Sequence, residues 1–131
     1  MPCVLVIDDN EDFRSLLRLA LEREGFAVET AANGQDGLAL LQRRPADVLV
    51  TDIFMPGKEG IETIEIFRRE WPATKIIAMS GGGAHAKQSY LGVASTVGAD
   101  ATLTKPFSLE ALVDALGSVG LMLREVRPGS G

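Results

Sequence analysis

Five short apolar runs alternate with segments of helical spacing, and this alternation constrains the fold more than any other feature of the sequence. The runs cover residues 4–7, 26–31, 47–52, 75–79 and 101–104. Strands that alternate with helices over short connections predict an α/β protein, a doubly wound five-stranded parallel sheet with helices on both faces. A chain of 131 residues is long enough for one such domain to build its own core.

The helices are predicted from apolar residues at offsets of three and four. In the first helix the predicted inner stripe is Phe13, Leu16, Leu17, Ala20 and Leu21, and the predicted outward residues are Arg14, Arg18, Glu22 and Arg23. In the last helix the predicted inner residues are Leu109, Leu112, Val113 and Leu116. Asn33 and Ser108 are predicted N-caps. A fourth helix is predicted over 84–97, although Gly92 interrupts it.

The composition narrows the class of protein. With 24% charged residues, a net charge of -5 and no basic block, direct binding of nucleic acid is not expected. The single cysteine, Cys3, has no partner for an internal disulfide, which favours a reducing compartment. The N-terminus has no pattern typical of a signal peptide, and no run is long enough for a membrane span. A cytoplasmic location is therefore expected, with no membrane partner.

Polar side chains follow four of the predicted strands where each strand ends. Asp8 and Asp9 follow the first strand, Asp52 ends the third, Ser80 follows the fourth and Lys105 follows the fifth. Open parallel sheets bind ligands outside the carboxyl ends of their strands. Read separately, the acids could be a helix-entry pair and a turn cap. Taken together, they predict one site.

The predicted site has the chemistry of phosphoryl transfer. Three carboxylates at one edge repel each other unless a cation lies among them, and an all-oxygen set favours Mg²⁺. Mg²⁺ uses few carboxylates and binds phosphate oxygens, which leaves Asp52 as the candidate nucleophile toward phosphorus. Ser80 can donate a hydrogen bond to a phosphoryl oxygen and Lys105 can neutralise another.

These residues carry a resemblance to a known family. Asp8-Asp9, Asp52 with Met55-Pro56, Ser80 and Lys105-Pro106-Phe107 together resemble the receiver domain of two-component response regulators, the CheY-like family, over nearly the whole chain. The resemblance implies a flavodoxin-like (βα)5 fold with strand order 2-1-3-4-5. It implies a receiver domain over 1–124, followed by a flexible tail over 125–131.

The resemblance also implies the roles of the site residues. Asp52 is the implied phosphoacceptor, Asp9 and Asp52 are implied direct Mg²⁺ ligands with the backbone carbonyl of Phe54, and Asp8 is an implied ligand through water. Ser80 and Lys105 would contact the phosphoryl group. The implied donor is a sensor histidine kinase or a phosphotransfer protein. The implied response changes a face formed by helix four, strand five and helix five, which would bind a downstream output protein.

Some positions depart from the family, and some questions stay open. Thr102 lies where many receivers carry an aromatic switch residue, so the signal is expected to leave through the loop after strand four. Phe54 and Gly82 lie where relatives orient the hydrolytic water, and neither side chain can do so; a long-lived phosphoryl-aspartate is predicted.

Few residues follow the last helix, so the output is expected in a partner or outside this chain. Whether phosphorylation drives homodimerisation is left open.

Two functions of other classes are alternatives to a phosphorylation-controlled switch. A Mg²⁺-dependent aspartyl-phosphate phosphohydrolase would carry a second acid two residues after its nucleophile, and position 54 is Phe. A degenerate receiver that acts only as an interaction scaffold would lack site residues, and none is missing. The sequence therefore favours a signalling domain that is not an enzyme acting on external substrates.

Overall fold

The structure, a computed structural model, describes residues 2–53, 59–80, 98–105 and 107–120. The strands are β1 (Cys3–Ile7), β2 (Ala27–Ala31), β3 (Val48–Asp52), β4 (Lys75–Ser80) and β5 (Ala101–Thr104). The helices are α1 (Glu11–Arg23), α2 (Gly34–Arg43), α3 (Glu59–Glu70) and α4 (Leu109–Ser118). Helix α4 is the fifth helix of the sequence prediction, since the predicted helix over 84–97 lies outside the described residues.

All five strands are parallel and form one sheet in the order β2-β1-β3-β4-β5. The predicted fold class and strand order are confirmed. β3 is buried along its whole length, because it lies at the centre of the sheet. The apolar run of β3 therefore lacks the alternation of a half-exposed strand.

The core has two layers, one on each face of the sheet. Neighbouring residues of a strand point to opposite faces, so Val4 and Val6 join one layer and Leu5 and Ile7 join the other. The first layer contains Leu17 and Leu21 of α1 and Leu112 and Leu116 of α4, and the second contains Leu41 of α2 and Ile64 and Phe67 of α3. The sheet is thus covered on both faces.

The helix ends follow local chemistry. The side chains of Asn10, Asn33 and Ser108 accept hydrogen bonds from backbone N–H groups three residues ahead, which caps α1, α2 and α4. The predicted caps Asn33 and Ser108 are confirmed. After α1 the chain turns at Gly25, whose φ of 102° lies in the left-handed region that glycine tolerates.

Two residues of the predicted inner stripes face solvent instead. Leu16 is 63% exposed and Leu109 is 39% exposed. At 3.6 residues per turn, Leu16 lies about 100° around α1 from the buried Leu17, so it falls outside the contact with the sheet. Leu109 is the first residue of α4, at the rim of the sheet, where the helix has not yet reached the core.

Candidate functional site

The strand register brings four predicted site residues to one edge of the sheet. Ile7 of β1 lies opposite Thr51 of β3, so the residues that follow them, Asp8 and Asp52, become neighbours. On the other side of β3, Asp52 lies opposite Met79, one residue before Ser80. Ser80 lies opposite Thr104, and Lys105 follows directly. The edge is built by the carboxyl ends of β1, β3, β4 and β5.

The carboxylates of Asp8, Asp9 and Asp52 form the cluster that the sequence predicts. One oxygen of each lies within 4.8 Å of the others, and Asp8 and Asp52 are buried whereas Asp9 is exposed. Three oxygen ligands at this spacing suit a hard divalent cation such as Mg²⁺, which accepts carboxylates and keeps some of its waters. The residues present thus fit a metal ion.

Lys105 neutralises part of this charge. Its Nζ donates to Asp8 Oδ2 over 2.6 Å and to Asp52 Oδ2 over 2.9 Å. Burial of the ammonium lowers the pKa of Lys105, but the hydrogen bonds to Asp8 and Asp52 and the charges of these acids outweigh burial and raise the pKa. The ammonium therefore stays charged at neutral pH, and within the described residues it pairs with two of the three carboxylates.

An aromatic ring completes the surroundings of Lys105. The Nζ lies 4.2 Å from the centre of the Phe13 ring, and this ring packs edge-on against Phe107 with centres 6.0 Å apart. The face of an aromatic ring attracts a cation. Phe13 thus adds a cation–π contact to the two ion pairs of the ammonium.

Asp8 is held at every polar atom. Its N–H donates to the carbonyl of Ala31 over 3.1 Å, its Oδ1 accepts from the N–H of Asn10 over 2.9 Å, and its carbonyl accepts from Arg14 Nη1 over 2.8 Å. Lys105 binds the remaining Oδ2. A fully buried carboxylate needs such compensation, and Asp8 is consequently the most constrained residue of the site.

Two further predicted site residues are placed less fully. Ser80 is buried at the end of β4, and its carbonyl accepts a hydrogen bond from the N–H of Lys105 over 2.7 Å. The backbone carbonyl of Phe54, a predicted metal ligand, lies outside the described residues, as does Gly82. The roles of Ser80 and Phe54 stay predictions.

Sequence reasoning missed the parts that Phe13 and Arg14 play. The sequence predicts Phe13 as part of the core stripe of α1. Its contact with the site depends on the long side chain of Lys105, which follows β5. Arg14 was predicted to face outward, but it is half-buried and contacts the backbone of Asp8. Arg14 lines a surface cleft, and its long side chain bends back over the preceding loop to reach the Asp8 carbonyl. Only the position of Arg14 one turn after Asn10 hinted at this contact.

The fold and the site define the class of the protein as a parallel α/β domain with an acidic edge whose carboxylates could hold a cation. The profile of the response regulator receiver domain matches residues 4–117. The chain therefore belongs to the response regulator receiver domain family, and it is a signalling domain of the two-component type.

Individual relatives agree with this assignment. The transcriptional regulatory protein ResD of Bacillus subtilis is 36% identical over 110 residues, which cover 84% of this chain and 44% of ResD. The solved structure of the chemotaxis response regulator CheY4 of Vibrio cholerae has a TM-score of 0.80 and 31% identity, and the match covers 91% of this chain and 98% of CheY4.

A third relative is a response regulator from Burkholderia pseudomallei, solved with a phosphorylated aspartic acid, a calcium ion and citrate. Its TM-score is 0.79 with 30% identity, and the match covers 88% of this chain and 66% of that one. The chain spans only 31% to 62% of the length of the first three curated relatives. Within the described ranges, no helix is both long and apolar enough to cross a membrane.

Proposed function

We propose that this chain is a phosphorylation-controlled switch in which the carboxylate of Asp52 accepts a phosphoryl group. One observation carries the proposal: Asp52 is a buried carboxylate at a strand end, placed between two other acids and an ammonium. Such a carboxylate is a nucleophile whose surroundings match the charges of a transferring phosphoryl group. The phosphorylated aspartic acid of the Burkholderia pseudomallei relative supports the same chemistry.

In the proposed reaction, an oxygen of Asp52 attacks phosphorus and forms a new P–O bond. The bond from phosphorus to the donor breaks, and its electron pair leaves with the imidazole of a phosphohistidine or with the acetate of acetyl phosphate. The product is an acyl phosphate on Asp52. The natural donor that we propose is a sensor histidine kinase or a phosphotransfer protein.

The groups around Asp52 have distinct tasks in this proposal. Lys105, which donates to Asp8 and Asp52, can turn its ammonium to a phosphoryl oxygen as negative charge arrives there. The Ser80 hydroxyl, at the end of the neighbouring strand, would donate to another phosphoryl oxygen. Asp8, Asp9, Asp52 and the carbonyl of Phe54 would hold Mg²⁺, with Asp8 acting through water, and the cation would supply charge that the lysine alone does not.

The output face belongs to the same proposal. Thr102 is exposed on β5, and β5 is an edge strand of the described sheet. We propose that a downstream output protein binds the face of the predicted fourth helix, β5 and α4 after phosphorylation. Because Thr102 offers no ring that could rotate inward, the change would pass from Ser80 through the loop that follows it.

Several parts of the sequence prediction stay predictions. They are the receiver boundary at 124, the tail over 125–131, the cytoplasmic location, the lack of activity on external substrates and the long lifetime expected from Phe54 and Gly82. For the lifetime, Phe54→Asn should release phosphate faster than the parent. An equal or slower release would contradict the expectation.

Intact-mass measurement after incubation with acetyl phosphate and Mg²⁺ tests the proposal. The parent should gain one phosphoryl group, and Asp52→Asn should gain none. Asp36→Asn is the matched control, because Asp36 is an exposed acid at the start of α2 and its substitution should leave the adduct unchanged. Lack of an adduct on the parent, or an undiminished one on Asp52→Asn, would refute the proposed function.

A further inference from the structure

Asp9 is the least supported acid of the site. It is exposed, and among the residues that the structure describes none donates a hydrogen bond to its carboxylate. Asp8 and Asp52, in contrast, are both tied to Lys105. A metal ligand must be held in place before the ion arrives, because ordering a free side chain costs binding energy. Within the described residues, the backbone on either side of Asp9 is what can orient its side chain.

The two peptide groups that flank Asp9 are both held. On the N-terminal side, the carbonyl of Asp8 accepts a hydrogen bond from Arg14 Nη1 over 2.8 Å. On the C-terminal side, the N–H of Asn10 donates to Asp8 Oδ1 over 2.9 Å. The orientation of these peptides determines the direction in which the side chain of Asp9 leaves the backbone. The first of these two contacts, from Arg14, comes from a side chain of α1.

Arg14 can make this contact without being part of the core. It lies in α1, its N–H donates to the carbonyl of Asn10 over 3.0 Å, and its side chain lines an open cleft beside Thr30 and Ala31. Replacing Arg14 thus opens the Asp8 carbonyl to solvent and leaves no hole in the packed layers. A variant at this position should fold.

We infer that Arg14 is a positioning residue for the metal site: through the Asp8 carbonyl it fixes the Asp8–Asp9 peptide and so places Asp9 to bind the cation. The inference rests on the proposed function, since it concerns the Mg²⁺ that the phosphotransfer reaction would use. Arg14 touches neither the phosphoryl group nor the metal in this role. It acts only through the backbone of the loop between β1 and α1.

The sign of the effect separates positioning from simple electrostatics. A guanidinium close to an acidic cluster repels a cation, so loss of its charge alone would tighten Mg²⁺ binding. Loss of an outer hydrogen bond that orients a ligand weakens metal binding, by about tenfold to a hundredfold in known sites. The two effects of removing Arg14 oppose each other, and positioning predicts that the second wins.

The test is a calorimetric Mg²⁺ titration at fixed ionic strength. Arg14→Met keeps the apolar stem and loses the donor and the charge, and we expect about tenfold weaker binding. Arg14→Lys keeps one donor and the charge, and its affinity should return to within about threefold of the parent. Arg18→Met is the matched control, because Arg18 is exposed on the same helix and, among the described residues, pairs with Glu22 and with no acid of the site; its affinity should match the parent.

A second measurement needs no metal. The amide nitrogen of Asp9 belongs to the peptide whose carbonyl Arg14 binds, so its ¹⁵N chemical shift should move in Arg14→Met and stay in place in Arg18→Met. Equal or tighter Mg²⁺ binding by Arg14→Met, an Arg14→Lys variant as weak as Arg14→Met, or an unmoved Asp9 shift would overturn the inference. If instead the parent neither binds Mg²⁺ nor gains a phosphoryl group, the proposed function fails at its own test.

Discussion

The two ends of the parallel strands, here called the amino edge and the carboxyl edge of the sheet, differ in how their charged side chains are paired. At the amino edge, where the strands begin, Arg68 Nη2 donates to Asp100 Oδ2 over 2.5 Å and to the carbonyl of Gly98 over 2.8 Å. Asp100 Oδ2 also accepts from the N–H of Ile76 over 2.8 Å. Arg68 and Asp100 thus pair with each other and also bind backbone groups. At the carboxyl edge, within the described residues, Asp8 and Asp52 share the ammonium of Lys105, which forms no salt bridge with Asp9.

This contrast distinguishes the edge that could hold a ligand from the edge that is paired internally. The contacts at the amino edge join α3 to the starts of β4 and β5, and they are complete within the chain. Among the described residues, the carboxyl edge has an excess of negative charge in partly buried surroundings, which is unfavourable without a further cation. An amino edge of this kind stabilises the fold without a ligand. The carboxyl edge is expected to become more stable when a cation binds among its acids. The following predictions test this contrast, from the largest effect to the smallest.

Lys105→Met should have the largest effect. It leaves Asp8 and Asp52 buried without the ammonium that compensates them, so we expect unfolding free energy at pH 7 in EDTA to fall by about 2–3 kcal/mol. Millimolar Mg²⁺ should restore much of this loss, because the ion takes over the missing charge. Urea unfolding with EDTA and with Mg²⁺ measures both values, and a loss that Mg²⁺ leaves unchanged would contradict the prediction.

Arg68→Met tests the amino edge in the same assay. It removes the ion pair with Asp100 and the donor to the Gly98 carbonyl, and Asp100 keeps the N–H of Ile76. A loss of about 1–2 kcal/mol in unfolding free energy is expected. The loss should be the same in EDTA and in Mg²⁺. Rescue of Arg68→Met by Mg²⁺ would show that the two edges are not distinct.

Asp9→Asn should act with opposite signs on stability and on metal binding. Removing one negative charge from the acidic cluster relieves repulsion, so the metal-free protein should gain about 0.5–1 kcal/mol, the low end being set by the exposure of Asp9. Loss of a carboxylate ligand should weaken Mg²⁺ binding by about tenfold or more. Glu65→Gln is the control, because Glu65 is an exposed acid of α3. If the control gains as much stability as Asp9→Asn, the repulsion is not local.

Cys3, at the start of β1, should show the smallest effect. Burial of the thiol, followed by the charges of Glu29 and Asp47, raises the pKa of Cys3 above its usual value of 9.0. Alkylation at pH 8 should therefore be several-fold slower than in the unfolded chain, and its rate should still rise beyond pH 9. Asp47→Asn removes one negative charge, lowers the pKa and should speed alkylation about twofold; an unchanged rate would contradict the assigned cause.

The fold and the centre of the site were predictable because they follow from short-range patterns. Buried runs that end in Asp8, Asp52 and Ser80 define strands of a parallel sheet, and the topology of such a sheet brings those ends together. Lys105 was predictable for the same reason. Their positions can be predicted from the direction of the strands and the period of the apolar residues alone.

The remaining features depend on where long side chains reach and on which part of a helix meets the sheet. Arg14 and Arg68 span a gap to backbone carbonyls of other segments, and no spacing in the sequence encodes that span. Leu16 fits the helical period but lies beyond the contact with the sheet. Phe13 fits the period and lies in the core layer, yet its contact with Lys105 joins residues far apart in sequence.

The identity of the aspartate that carries the phosphoryl group tests the central claim most directly. The protein is incubated with acetyl phosphate, in Mg²⁺ or in EDTA, and borohydride then reduces the acyl phosphate to homoserine, which peptide mass mapping locates. The predicted result is homoserine at position 52, with a high yield in Mg²⁺ and a much lower yield in EDTA. Homoserine at position 8 or 9, or an equal yield in EDTA, would contradict the assignment of Asp52 as the Mg²⁺-dependent phosphoacceptor.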